Sequence, residues 1–239
     1  MTVTPNDARE RLILALDVPD LNAAEALLDR VEGTVGIVKV GLELFTRVGP
    51  DAVRAVTRRG YDVFLDLKLH DIPNTVAGAV RSAASLGVSM LTLHTDGGRR
   101  MLDAATEAAD SALTLLGVTL LTSMGPEDLT DTSVAGTPES VVLTRAVLAR
   151  NAGLGGIVCS PKEVTAVRDA IGSKMVIVTP GIRPAGAEMG DQKRAATPAS
   201  AIADGADYLV VGRPISGVDD PAAAATAIAR EMAEALEKR

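Results

Sequence analysis

Eight short runs of aliphatic and β-branched residues alternate with eight longer Ala-, Leu-, Glu- and Arg-rich stretches along this 239-residue chain. The runs fall at 12–16, 36–40, 62–68, 90–94, 115–121, 156–159, 175–178 and 208–211. Apolar residues at helical spacing fill 21–31, 51–59, 74–86, 98–109, 139–152, 161–171, 198–204 and 221–236. Strands that alternate with helices run parallel, because each helix is a crossover that brings the chain back to start the next strand in the same direction. Eight such units suit an α/β fold of one kind, a single (β/α)8 TIM barrel spanning 1–239, which needs about 250 residues. The competing arrangement is a doubly wound open sheet. Its dinucleotide fingerprint is missing, since the first strand is followed by Leu16-Asp17-Val18-Pro19-Asp20, and no P-loop pattern occurs.

Composition narrows the partners. The chain is 47% hydrophobic but only 2% aromatic and has no Trp, so Ala, Val, Leu and Ile must fill the core. Aromatic platforms for single-stranded nucleic acid are therefore lacking, and a formal charge of −7 repels a polyanion, so no nucleic acid is expected. Cys159 is the one cysteine, which leaves no intramolecular disulfide or multi-cysteine metal site and fits a reducing cytoplasm. Residues 1–11 carry no apolar leader, and the longest apolar stretch, 112–121, is too short to span a bilayer, so no membrane association is expected.

In a barrel, chemistry belongs at the C-terminal ends of the strands and in the loops that follow. The polar residues gather there: Asp17 after strand 1, Lys39 on strand 2, Asp66 and Lys68 on strand 3, and His94 on strand 4. Thr122 and Ser123 follow strand 5, Arg183 and Gln192 follow strand 7, and Gly212 and Arg213 follow strand 8.

The densest cluster is Asp66-Leu67-Lys68-Leu69-His70-Asp71-Ile72-Pro73-Asn74-Thr75. Residues two apart in a strand share a face, which puts Asp66 and Lys68 together with Leu67 on the helix side. With Lys39 on the neighbouring strand and Asp71 from the loop, an alternating Lys/Asp/Lys/Asp array becomes possible. Carboxylates on either side favour the ammonium form, so Lys68 is expected to act as a general acid, not as a Schiff-base nucleophile. The plainer interpretation, an ion-pair network closing the barrel rim, gives a weak reason to bury four charges together. His70 is expected to point away from the Lys68 face.

Gly212-Arg213 after strand 8 suits a phosphate, with close backbone approach and a guanidinium fork. The segment 180–197 lacks apolar periodicity and holds Arg183 and Gln192, as a lid over that phosphate would. Cys159 is read as a packed small hydrophobe, and His94 as either a substrate contact or a hydrogen-bonded structural histidine. Two histidines far apart in sequence, with no ligand cluster, make a transition-metal site unsupported, although counting alone leaves an Asp-rich Mg2+ site open.

At Asp66-x-Lys68-x-x-Asp71-Ile72-Pro73-x-Thr75 the chain resembles the orotidine 5'-phosphate decarboxylase family. The resemblance continues through Leu16-Asp17, Lys39-Val40-Gly41, His94-x-x-Gly97-Gly98, Thr122-Ser123-Met124, Gly181-Ile182-Arg183-Pro184 with Asp191-Gln192, and Gly212-Arg213-Pro214. It implies cofactor-free conversion of orotidine 5'-monophosphate to UMP and CO2, with Lys68 protonating C6 and Asp66 beside the departing carboxylate. It further implies that Lys39 and Asp71 complete the charge array. Asp17 and Lys39 would hold the ribose hydroxyls, and Thr122 with Ser123 the pyrimidine edge. Arg183, Gln192, Gly212 and Arg213 would be phosphate and lid contacts. Asp71 and Thr75 are implied to reach the other subunit's site in a homodimer. Two alternatives remain. One is a sugar-phosphate decarboxylase resembling 3-keto-L-gulonate 6-phosphate decarboxylase, which shares Asp-x-Lys-x-x-Asp but uses Mg2+ and an acidic ligand where this chain has Lys39. The other is a non-catalytic nucleotide-binding barrel.

Overall fold

The computed structural model describes residues 5–184 and 196–239. Eight parallel strands close a barrel in sequence order: β1 Leu12–Ala15, β2 Ile37–Gly41, β3 Asp62–Leu69, β4 Met90–His94, β5 Thr114–Val118, β6 Gly156–Val158, β7 Val176–Thr179 and β8 Tyr208–Val211. β8 pairs with β1, which closes the ring.

The period-2 pleat separates two apolar layers. Ile13, Ile37, Phe64, Met90, Leu116, Val178 and Val210 point inward and fill the barrel with a plug of aliphatic side chains and one phenyl ring. Their neighbours Leu12, Leu14, Val38, Val63, Leu65, Leu91, Ile177 and Leu209 point outward and pack under the helices. The same parity carries Lys39, Asp66 and Thr92 inward, one pleat beyond Ile37, Phe64 and Met90 respectively, at the mouth above the plug.

Proline opens the helices Pro50–Thr57, Pro73–Ser85, Pro138–Asn151, Pro198–Asp204 and Pro221–Leu236, where its missing N–H has no helical partner to lose. Asp20 caps Leu21–Arg30 by accepting from the Ala23 N–H at 2.9 Å. Every expected strand and helix is present, with ends moved by a few residues. Strand β5 stops at Val118, short of the expected 121, because Thr119 to Leu121 continue the apolar run as a loop whose Leu120 is buried.

Among the described residues, four short α-helices were not expected. Pro5–Arg9 lies across the N-terminal end of the barrel, where the Gly36 N–H donates to the Arg9 carbonyl. Leu42–Val48 is cut from the next helix by Gly49, whose φ of 59° requires glycine. Pro126–Asp131 and Arg213–Ser216 complete the set, and all four are too short to carry an amphipathic pattern of their own.

Candidate active site

At the barrel mouth four charged side chains form a row. The Lys68 Nζ donates to both carboxylate oxygens of Asp66, at 2.8 and 2.9 Å. The Asp66 Oδ2 also lies 3.9 Å from the Lys39 Nζ, which itself donates to the Asp17 Oδ1 at 2.8 Å. The order is thus Asp17, Lys39, Asp66, Lys68. Lys39 is buried, and burying an ammonium is tolerable only because carboxylates stand on both sides of it. Gly41 leaves room for the first pair, since a Cβ there would stand 2.8 Å from the Lys39 Nζ and 3.1 Å from the Asp17 Oδ1.

The Asp66–Lys68 contact does not come from a regular strand. The four-residue step from Leu65 to Leu69 on β3 is matched by only a two-residue step from Leu91 to Leu93 on β4. Within that bulge Lys68 adopts φ 50°, a left-handed conformation that costs a non-glycine residue about 1 to 3 kcal/mol and is concentrated at functional sites. The insertion is even, so Leu69 returns to the helix side and the parity expected for Asp66 and Lys68 survives.

Asp71 is not part of this row. It is exposed, and its carboxylate accepts from the backbone N–H of Ile72 at 2.6 Å, so within one chain the fourth charge is Asp17. Ile72, two-thirds exposed, and Thr75, also exposed, lie on the same stretch of surface.

His70 departs from expectation. Its ring lies 5.5 Å from that of His94, and both approach one carboxylate oxygen of Asp96, His94 at 3.6 Å and His70 at 3.8 Å. Arg145, on the helix Pro138–Asn151, donates to the other Asp96 oxygen at 3.2 Å and to the Thr119 carbonyl at 2.7 Å. His70 stands two residues past Lys68, so alternation itself puts the two on one face, and the expectation that it points away is not what the pleat gives. Burial pushes the His94 imidazole below its ordinary value, with Asp96 opposing and His70, Lys68 and Arg145 reinforcing the shift.

Across the mouth, a cleft of about 480 Å3 is lined by Asp17, Lys39, Pro180, Gly181, Arg183, Gly212, Arg213 and Ser216. Burial, and then the like charge of Arg213, lower the Arg183 guanidinium from its ordinary value. Two guanidiniums held near each other in a cleft are relieved by an anion. The Arg183 N–H donates to the Ala196 carbonyl at 2.9 Å, which joins the two ends of the expected lid; Gln192 and the rest of 185–195 lie outside the described residues. Thr122, half-buried, and Ser123, exposed, sit in the turn after β5, several residues past the strand end. Cys159 is buried, and burial raises its thiol far above the usual range, as befits a core residue. Among the described residues no three His, Cys, Asp or Glu side chains cluster to hold a metal ion, and no helix is long and apolar enough to cross a membrane.

Residues 10–228 match the Orotidine 5'-phosphate decarboxylase / HUMPS family. This chain belongs to that family. It is 54% identical to the orotidine 5'-phosphate decarboxylase of Halorhodospira halophila over 228 residues, covering 94% of this chain and 97% of the relative. Against the protein of that name from Anaeromyxobacter sp. strain K the identity is 56% over 220 residues, covering 92% and 97%. Among solved structures, the Lactobacillus acidophilus orotidine 5'-phosphate decarboxylase aligns with a TM-score of 0.83 at 36% identity, covering 92% of this chain and 98% of that one.

Within the family's barrel, sequence reasoning put Lys39, Asp66 and Lys68 in the row but named Asp71, not Asp17, as its fourth member, and it passed over three supporting residues. Asp96 and Arg145 lie in a loop and on a helix far apart in sequence, so no local signal joins them. Thr92 is a buried hydroxyl flanked by Leu91 and Leu93 on an inward-facing position, a signal that was available.

Proposed function

We propose that this protein decarboxylates orotidine 5'-monophosphate to UMP and CO2 without a metal or organic cofactor, as the closing step of de novo pyrimidine nucleotide synthesis in the cytoplasm. What supports this most directly is the Lys68 ammonium held against both oxygens of Asp66 at the barrel mouth, backed by Lys39 and Asp17. The bond from C6 to the carboxylate breaks and its electron pair stays on C6. A proton from the Lys68 ammonium then forms the new C6–H bond, and solvent reprotonates the amine. A vinyl carbanion has little resonance relief, so a preorganised cation beside C6 is the effective source of stabilisation.

Asp66 faces the departing carboxylate. At ~4 Å and an effective dielectric of ~20, two carboxylates repel by about 4 kcal/mol, a stress removed as neutral CO2 leaves. Asp17 and Lys39 suit the ribose hydroxyls as acceptor and donor. Thr122 and Ser123 contact the pyrimidine edge, and Arg183, Gln192, Gly212 and Arg213 take the phosphate. Binding energy from that remote group is realised in the transition state, so the nucleoside lacking it turns over poorly. Two chains associate, with Asp71 and Thr75 of each completing the other's site; the exposed Ile72 between them suits a covered face.

The test is a spectrophotometric assay of orotidine 5'-monophosphate in EDTA, run alongside Lys68→Ala. Metal-free conversion to UMP, lost in the variant, is expected. Activity abolished by EDTA would point instead to a Mg2+-dependent sugar-phosphate decarboxylase, and UMP binding without turnover to a non-catalytic barrel.

A further inference from the structure

Thr92 lies inside the barrel on β4, fully buried and directly opposite the bulge in β3. Its hydroxyl is 2.9 Å from the backbone nitrogen of Lys68 and 2.9 Å from the Asp66 Oδ1. The direction of both bonds is determined by chemistry. A backbone N–H can only donate, so the hydroxyl accepts from Lys68; a carboxylate can only accept, so the hydroxyl proton is turned to Asp66. Asp66 Oδ1 in turn receives the Lys68 Nζ. One threonine thus links the backbone of Lys68 to the carboxylate that its own side chain grips, and the three residues form a closed ring of hydrogen bonds.

The bulge makes such a link necessary. Where β3 runs four residues against two on β4, the ladder is interrupted, and a buried N–H without an acceptor is costly. Thr92 supplies that acceptor from a side chain. A β-branched residue also has a restricted χ1, so its oxygen is held in place without further support.

We propose that Thr92 is a positioning residue for the reaction: it holds Lys68 in its left-handed conformation and orients the Asp66 carboxylate, without touching substrate itself. The proposal rests on the decarboxylase function given above. Small displacements of a proton donor are expensive in rate, with about 100-fold lost for misplacement of the order of 1 Å.

The experiment compares Thr92→Val, which removes the hydroxyl at nearly constant shape, with Thr92→Ser, which keeps it. Three quantities are read: kcat on orotidine 5'-monophosphate, the Kd of UMP by calorimetry, and amide exchange at Lys68 by NMR. For Thr92→Val, kcat falls about 10- to 100-fold, UMP affinity stays within about threefold, and the Lys68 amide loses protection. Thr92→Ser recovers most of the rate and the protection. Unchanged kcat and protection in Thr92→Val would overturn the proposal, as would an equal loss of UMP affinity and rate, which is the mark of general damage. Should Thr92→Val not fold, Thr92→Ala against Thr92→Ser is read by the same quantities. Failure of the decarboxylase function is separable: the unsubstituted protein would then not turn over the substrate, while Lys68 amide exchange would still report on Thr92.

Discussion

Asp66 and Lys68 are two residues apart in sequence and joined by two hydrogen bonds, which makes this ammonium and the carboxylate beside it products of a single bulged strand. A donor held this way loses little rotamer freedom when substrate arrives, and the pair moves as a unit.

Removing the ammonium should therefore abolish chemistry while sparing the rest of the cleft. Lys68→Ala is expected to lower kcat by at least about 10^3-fold, within the range for loss of a general acid. UMP should still raise the melting temperature of the variant, because Arg183 and Arg213 are untouched. A variant that retained a tenth of the activity would exclude Lys68 as the proton donor.

How far this arrangement was legible in the sequence depends on which physical rule produced each part. Lys39 and Asp66 follow from period-2 alternation above Ile37 and Phe64, and their side chains stand 3.9 Å apart at the barrel mouth. Lys68 also falls on the expected face, but for a different reason, since an even insertion restores the parity that a regular strand would have had. Asp71 is expected in the charge array from its loop position, and the resemblance implies that it gets there from the other subunit; within one chain the turn at Ile72 into the helix Pro73–Ser85 leaves it exposed, its carboxylate accepting from the Ile72 N–H. Asp17 takes its place through strand pairing between β1 and β2, a long-range relationship that no local pattern encodes.

Gly41 gives a way to disturb Lys39 without removing it. A methyl group at that position would intrude on the Lys39 Nζ, the free end of a flexible side chain, so the fold can absorb it. Gly41→Ala is expected to leave the urea midpoint almost unchanged and to lower kcat/KM by about tenfold or more, as a displaced positioning group does. A normal kcat/KM would show that the Lys39–Asp17 pair tolerates displacement.

The two arginines of the cleft should matter for the phosphate and for little else. Arg213→Ala is expected to weaken UMP binding by about 10- to 100-fold, the equivalent of one charge-assisted hydrogen bond, and to leave uridine binding unchanged. Calorimetry with both ligands distinguishes this from loss of the fold, which would weaken both equally.

Shared sites leave a signature in mixtures. Lys68→Ala and Asp71→Ala homodimers each carry a lesion in both sites. A hybrid dimer gathers both lesions into one site and leaves the other intact. Equal mixing with full exchange should restore about a quarter of the wild-type rate per chain, given random pairing into symmetric dimers. No recovery after exchange is verified by differently tagged chains would place Asp71 outside its partner's site.

Acid stability offers a check on His94. Burial holds its imidazole below the ordinary value of 6.5, while in the unfolded chain it titrates near that value. Between the lowered value and 6.5 the unfolded state binds more protons, so stability rises with pH across this window and falls as pH drops below 6.5. Asp96 and Arg145 remain in place in His94→Asn, which removes the titrating group and keeps a polar side chain. Urea unfolding at pH 7.5, 6.5 and 5.5 at fixed protein concentration should give a shallower loss for His94→Asn, the difference being at most about 1.4 kcal/mol per pH unit for one proton. Carboxylates common to both proteins cancel in that comparison. Parallel curves for the two proteins would mean that His94 binds its proton as readily in the folded barrel as in the unfolded chain, and that Asp96 offsets the cost of burying it.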